Sequence, residues 1–141
     1  MKKNKEEIKE YTRKYIYNKL QNDISFKLQS VLRNRLRVSL KGKGKYSSAV
    51  KDLGCSIEYF KNYLELKFRS NMTWENYGVA WNLDHIIPLS AFNLQDSIHF
   101  KASCNYRNLQ PLWVQENLSK SDKYNEEDFL NYMDYFEDPN E

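Results

Sequence analysis

The stretch VAWNLDHIIP at residues 79–88 decides the fold of the protein. It is rich in branched and aromatic side chains, which favour a β-strand, and Pro88 closes it because proline cannot donate to a strand ladder. A second short run, NLQPLW at residues 108–113, predicts another strand, with Pro111 indicating a sheet edge or a strand end. Residues 114–121, VQENLSKS, contain strong helix formers. The order strand, loop, strand, helix predicts a hairpin folded over a helix.

Polar side chains with catalytic chemistry fall within these elements. Asp84 and His85 lie at the end of the first strand, and Asn108 opens the second strand 23 residues after His85. Asn117 follows nine residues later, inside the short helix. Carboxylate and amide oxygens are hard ligands suited to Mg²⁺ or another hard divalent ion. A neutral imidazole beside such an ion is a natural base for activating water, so the pattern indicates a metal-dependent hydrolytic site.

The two segments WNLDHIIPLSAF and NYRNLQPLWVQENLSKSDK resemble the ββα-metal core of HNH endonucleases. They are particularly similar to the small HNH proteins of phages and mobile elements. The upstream segments LGCSIEYFKNYLELKF and NMTWENYG resemble the region that precedes the core in that group. The similarity covers residues 53–123, and the spacing of the two asparagines with the following Lys-Ser-Asp also resembles the HNH domain of RNA-guided CRISPR nucleases.

The resemblance implies a role for each matching residue. His85 would be the general base that takes a proton from the attacking water. Asp84 would be the first metal ligand, and Asn117 would be the second. Asn108 would have a supporting role, since the matching asparagine ties the loop backbone and holds the histidine in place. The implied reaction is hydrolysis of a DNA phosphodiester bond to 5′-phosphate and 3′-hydroxyl ends.

This sequence departs from many HNH proteins because the four cysteines of a structural zinc site are missing. Only a single catalytic ion is therefore expected, Mg²⁺ first and Mn²⁺ as the alternative, since asparagine in the third motif position favours a hard ion. No small-molecule cofactor is expected. Without zinc, the core must rest on packing, and the candidates are Trp81, Phe92, Leu109, Leu112 and Trp113.

Charge is divided sharply along the chain. Residues 1–51 hold 15 Lys and Arg against 4 Asp and Glu, whereas residues 52–141 hold 7 against 15. A half-chain this basic suits a phosphate-binding surface, because each neutralised phosphate releases counterions. Double-stranded DNA is therefore the expected partner. The candidate nucleic-acid contacts are Arg33, Arg35, Arg37, Lys41, Lys43, Lys45 and Lys120.

Apolar spacing predicts helices over residues 5–20, 23–40 and 57–68, and another within residues 126–136. The glycines of residues 41–45 predict a basic turn, either near a DNA backbone or as a plain helix–helix connection. The expected fold class is α+β, with a ββα-metal core preceded by a basic, mainly helical region. The expected divisions are a DNA-binding arm over residues 1–52, a nuclease core with its preceding helix over 53–123, and an acidic tail over 124–141.

Several classes of protein are disfavoured by the sequence. No apolar run approaches the roughly 18 residues needed to span a bilayer, and the charged start MKKNKEEIKEY lacks the apolar region of a secretion signal, so a cytoplasmic location is expected. Cys55 and Cys104 are too few and too far apart for a disulfide framework or a structural zinc, and are expected to be free thiols. The sequence does not fix the oligomeric state.

Two other functions remain open at this point. One is a DNA-binding regulator whose catalytic site has decayed, and the other is an RNA-directed nuclease, because charge asymmetry does not distinguish duplex types. His99 matches no motif position and is expected to pack in a loop or on the surface. Trp74 and Tyr77 are expected to anchor the core or a loop, with base stacking as the alternative. The acidic tail is expected to be solubilising, with folding over the basic surface as the alternative.

Overall fold

A computed structural model of the protein describes residues 4–40 and 51–137. This part of the chain has an α+β architecture with one small antiparallel sheet. Its helices and strands, in order, are α1 (Lys5–Asn22), α2 (Ile24–Leu40), α3 (Ile57–Leu66), β1 (Trp81–His85), α4 (Ser97–Cys104), β2 (Leu109–Trp113), α5 (Val114–Lys120) and α6 (Glu126–Glu137). Among these helices, none is both long and apolar enough to cross a membrane.

The first two helices differ in how far they enter the core. Asn4 begins α1 with a capping box, in which its side chain accepts from the Glu7 N–H at 2.9 Å and the Glu7 carboxylate accepts from the Asn4 N–H at 3.2 Å. No residue of α1 is buried, and the helix packs against α2. In α2, leucines at four-residue intervals form one buried stripe: Leu28, Leu32, Leu36 and Leu40.

The sheet places the two motif strands side by side. β1 and β2 run antiparallel, with Trp81 opposite Trp113, Asp84 opposite Gln110 and His85 opposite Leu109. The connection between them is residues 86–108, which contain α4, so the pair is not a tight hairpin. The α5 helix follows β2 directly and packs against both strands. The predicted order of strand, loop, strand and helix is therefore present.

One large apolar cluster joins the N-terminal half of the chain to the sheet. The leucines of α2 and Leu53 share it with Phe60, Trp81 and Leu109. Trp81 and Leu109 are fully buried, as predicted for the core, whereas Leu112 and Trp113 are only partly buried. Packing thus continues across the predicted division at residue 52.

The C-terminal segment contributes a helix to the packing rather than only an acidic tail. Met133 of α6 is buried in a second apolar cluster with Phe92 and Ala102, and Phe129 packs against it. The Tyr132 hydroxyl donates to the Ala102 carbonyl oxygen at 2.6 Å. The helix is amphipathic: its acidic residues are exposed, while Phe129 and Tyr132 contact His99 and Ala102 of α4.

The predicted bounds of most elements differ from the structure by one or two residues, and the second strand, for example, begins at Leu109 rather than at residue 108. The first strand occupies Trp81–His85 rather than residues 79–87, and the helix that begins at Ile57 ends at Leu66 rather than at residue 68. The β1 strand ends before Ile87 because the Asn108 side chain forms hydrogen bonds with both the N–H and the carbonyl oxygen of Ile87. These groups are then unavailable to a strand ladder.

Candidate functional site

Asn108 fixes the loop that follows the Asp84-His85 pair. Its side-chain oxygen accepts from the Ile87 N–H at 2.8 Å, and its amide nitrogen donates to the Ile87 and Ser103 carbonyl oxygens at 3.0 and 3.3 Å. The side chain is almost fully buried, at 1% exposure. Because all three bonds go to backbone, Asn108 holds the end of β1 and the approach to β2 in one geometry. This is the bracing arrangement expected for a supporting residue.

Asp84 is a buried carboxylate with two polar partners. It is 5% exposed. Gln110, directly across the sheet, donates to one carboxylate oxygen at 2.9 Å, and the Lys120 ammonium lies 3.3 Å from both oxygens. Lys120 also donates to the His85 carbonyl oxygen at 2.8 Å. The end of α5 therefore places a cation directly on the Asp84 carboxylate.

A cavity of about 410 Å³ opens beside this pair. Its walls come from α2, the end of β1, the loop at residues 88–90 and the end of α5. The charged or titratable side chains that line it are Arg35, Asp84, His85 and Lys120. The first and last of these are separated by 85 positions in the sequence, from 35 to 120, so only folding brings them together.

Burial and positive charge act together on His85. Burial, then the charges of Arg35 and Lys120, lower the pKa of His85 to about 3. The imidazole is therefore neutral over the physiological range and has a free lone pair for a proton. A neutral imidazole is the protonation state that a general base requires.

Arg35 is the second cation of the cavity. Burial lowers the pKa of its guanidinium, while the nearby Tyr77 and Asp84 act in the opposite direction. The Tyr77 hydroxyl is buried, and in the part of the chain that the structure describes it has no hydrogen-bond partner. Burial raises the pKa of Tyr77 to about 12, so this neighbour of Arg35 is neutral.

Of the remaining predicted site residues, those that the structure describes do not line the cavity. Asn117 is partly buried on α5, one turn before Lys120, and its side-chain amide has no hydrogen bond within the described residues. Arg33 and Arg37 are exposed on α2, where they donate to Gln29 at 3.4 Å and to Asn34 at 2.7 Å. Three of the predicted contacts lie outside the described residues: Lys41, Lys43 and Lys45.

The residues without a predicted catalytic role pack as expected. The Nδ1 atom of His99 accepts from the Asn93 N–H at 3.0 Å, and its ring packs edge-on against Phe92. Trp74 and Tyr77 contact Trp81, with Tyr77 stacked on it at 4.6 Å between ring centroids. These side chains anchor the loop before β1.

Gln110 belongs to the site, although the sequence pattern did not identify it. Its signal was the strand register, because pairing Asp84 with residue 110 places both side chains on the same face of the sheet. The sequence also did not predict that Arg35 lines the cavity whereas Arg33 and Arg37 do not. The four-residue leucine repeat of α2 contained that information, since it defines the two flanks of the helix.

Comparison with known proteins gives relatives without a described activity. The chain is 37% identical over 107 residues to one uncharacterized protein of Acanthamoeba polyphaga mimivirus, and 32% identical over 108 residues to another. The matches cover 75% and 76% of this chain but 47% of each relative, so the chain spans about half the length of these curated proteins. No protein-family model matches the sequence. No solved structure matches it either.

Proposed function

We propose that this protein is a metal-dependent DNA endonuclease of the HNH kind, with β1, β2 and α5 forming a ββα-metal core. The observation that carries the proposal is the shared cavity of Asp84 and His85, whose loop is braced by Asn108. A carboxylate, a neutral imidazole and two cations in one cavity suit the hydrolysis of a phosphodiester. The α5 helix following directly on β2 further supports the ββα arrangement.

The donor chemistry of Asp84 and Asn117, a carboxylate and an amide oxygen, suits one hard divalent ion. Asp84 is a buried carboxylate that already attracts a cation, and Asn117 has an amide without a hydrogen bond in the described chain. Within residues 4–40 and 51–137, no three His, Cys, Asp or Glu side chains group together as a metal cluster. A site with one carboxylate, one amide and several waters needs no such group. Asp84 and Asn117 would hold the ion, Mg²⁺ or Mn²⁺, which supplies charge stabilisation at the scissile phosphate.

The proposed reaction uses His85 as the base. Its imidazole takes a proton from water, and the water oxygen forms a bond to phosphorus as the bond to the 3′ oxygen breaks. The 3′ oxygen leaves with a proton from solvent, giving a 3′-hydroxyl and a 5′-phosphate. Arg35 and Lys120 place positive charge beside the bound phosphodiester. The negative charge of this phosphate also counteracts the positive charges of Arg35 and Lys120, which are two of the three causes that lower the pKa of His85.

Plasmid cleavage tests this function. The protein is incubated with supercoiled DNA and Mg²⁺ or Mn²⁺, with EDTA as a control. Cleavage is expected only when a metal ion is present, and His85→Ala should reduce its rate by about 10²–10⁴-fold, the usual share of a general base. His99→Asn is the matched control, because it removes the other histidine while keeping an acceptor for the Asn93 N–H.

The outcomes separate the candidate functions. Cleavage that persists in His85→Ala would contradict the proposed mechanism. Duplex binding without cleavage of any DNA would favour a DNA-binding regulator. A parallel reaction with duplex RNA of the same length distinguishes an RNA-directed nuclease, which would cleave the RNA faster than the DNA.

A further inference from the structure

The three arginines of α2 do not form one surface. At about 100° per residue, Arg35 lies on one flank of the buried leucine stripe, whereas Arg33 and Arg37 lie on the opposite flank. Ser39, four residues after Arg35, lines the same cavity wall. Arg33 and Arg37 are solvent-exposed and lie outside that cavity. The helix therefore directs one arginine inward and two outward.

Arg35 brings a positive charge to the wall of the cavity. Its guanidinium makes no hydrogen bond or ion pair with any described residue, although it is partly buried. Asp84, the carboxylate of the cavity, is already bound by Lys120 and Gln110. Holding a partly buried guanidinium without such partners is unfavourable. An anion bound in the cavity would remove that cost.

The balance of fixed charge in the cavity also favours an anion. Arg35 and Lys120 contribute two positive charges, and Asp84 contributes one negative charge. A guanidinium presents a planar fork of N–H donors that matches two phosphate oxygens, whereas the ammonium of Lys120 acts as a point charge. Arg35 is thus the cavity residue best suited to bind a phosphate group through two bonds.

We propose that Arg35 binds the phosphate group that enters the cavity, while Arg33 and Arg37 contact only the flanking nucleic-acid backbone. The proposal rests on the proposed function, because it assigns Arg35 to the phosphodiester that is cut. It also gives α2 a double role, with one flank in the catalytic cavity and the other on the DNA.

Inorganic phosphate provides a test that does not depend on cleavage. The thermal unfolding of metal-free protein is followed as phosphate is added, with chloride at equal ionic strength as the control. Wild type is expected to gain stability with phosphate, and Arg35→Met is expected to lose most of that gain. Arg33→Met removes one positive charge from the opposite flank and should keep the gain in stability. A gain that is equal in all three proteins, or absent from wild type, would overturn the proposal.

Single-turnover cleavage adds a second measurement. Arg35→Met should lower the rate at saturating DNA by roughly 10²–10³-fold, as for the loss of one preorganised donor to a developing charge. Lys101→Met removes one positive charge from the exposed surface of α4, outside the cavity, and should leave this rate within about threefold of wild type. Arg35→Lys keeps the charge but loses the fork, so partial recovery is expected. Equal rates for Arg35→Met and Lys101→Met would contradict the assignment.

The two measurements keep this proposal separate from the proposed nuclease function. If phosphate stabilises the protein only when Arg35 is present, and the protein cuts no nucleic acid, the anion site is supported and the nuclease function is rejected. If cleavage requires His85 but is unaffected by Arg35→Met, the nuclease function is supported and the role of Arg35 is rejected. Because the change removes a charge without hydrogen bonds to the described residues, the variant is expected to fold, and its circular dichroism spectrum checks this.

Discussion

Lys120 places a positive charge directly on the Asp84 carboxylate. Asp84 is buried, and the Lys120 side chain is 21% exposed, so water screens this ion pair only weakly. The ammonium also donates to the His85 carbonyl oxygen, which fixes it beside His85. A divalent ion that binds Asp84 must share its carboxylate with Lys120 or displace it.

Removing this lysine should make the protein depend on a metal ion for stability. Lys120→Met leaves the Asp84 carboxylate without its cation, and we expect a loss of about 2–3 kcal/mol in the free energy of unfolding without metal. Mg²⁺ or Mn²⁺ should stabilise Lys120→Met more than wild type, because the ion binds only the folded protein. Urea unfolding with and without the ion measures both effects.

A neighbouring lysine provides the control for this experiment. Lys123 is exposed and is not part of the cavity, so Lys123→Met should be as stable as wild type and respond equally to metal. If Mg²⁺ and Mn²⁺ stabilise wild type, Lys120→Met and Lys123→Met by the same amount, the ion does not bind at Asp84.

At the scale of the element, α2 links the basic half of the chain to the sheet. Its buried leucines pack in the same cluster as Trp81 and Leu109, next to the strand ends that carry the site. The position of Arg35 therefore depends on how firmly this helix is held. A flexible basic arm could not direct one arginine into a cavity.

Truncating the stripe beside Arg35 should weaken the whole fold. Leu36 is 2% exposed, and Leu36→Ala is expected to cost about 2–5 kcal/mol, because the side chain no longer fills its buried site and a cavity is left behind. Ile16→Ala on α1 is the control, because Ile16 is 41% exposed and its truncation should cost less than about 1 kcal/mol. Chemical denaturation gives both values, and equal decreases in stability would mean that α2 is no more embedded than α1.

At the scale of the molecule, the basic and acidic residues are concentrated in different parts of the chain. The excess of basic residues lies in residues 1–51, and the acidic helix α6 packs against α4 at the other end of the chain. A molecule with this charge distribution should bind nucleic acid mainly through its N-terminal half.

The salt dependence of DNA binding measures that surface. His85→Ala protein is titrated with duplex DNA at several KCl concentrations in EDTA, and affinity should fall steeply with salt. Neutralising Arg33 and Arg37 together should reduce the log–log slope by about 0.9 for each phosphate that these arginines bind. Neutralising the exposed Lys101 and Lys123 in the acidic half is the comparison, and it should leave the slope nearly unchanged. An unchanged slope in the arginine variant would contradict DNA binding through the N-terminal half.

Local features of the sequence determined much of the structure. Residue type and periodicity were enough to predict α1, α2, α3, both strands and the helix α5, because these signals depend on neighbours within a few positions. The supporting role of Asn108 was instead implied by the resemblance of the motif segments, and His99 was expected to pack because it matches no motif position. The charge division of the chain was also visible directly, since it requires only counting.

Only the tertiary structure decided which side chains meet. Arg35, Asp84 and Lys120 share a cavity because α2 and α5 pack beside the end of β1, and no local signal measures that distance. The partnership of Gln110 with Asp84 required the strand register, and the packing of α6 required the position of α4. The Asp84-His85 dipeptide thus comes from the sequence, whereas the charges that surround it come from contacts between distant parts of the chain.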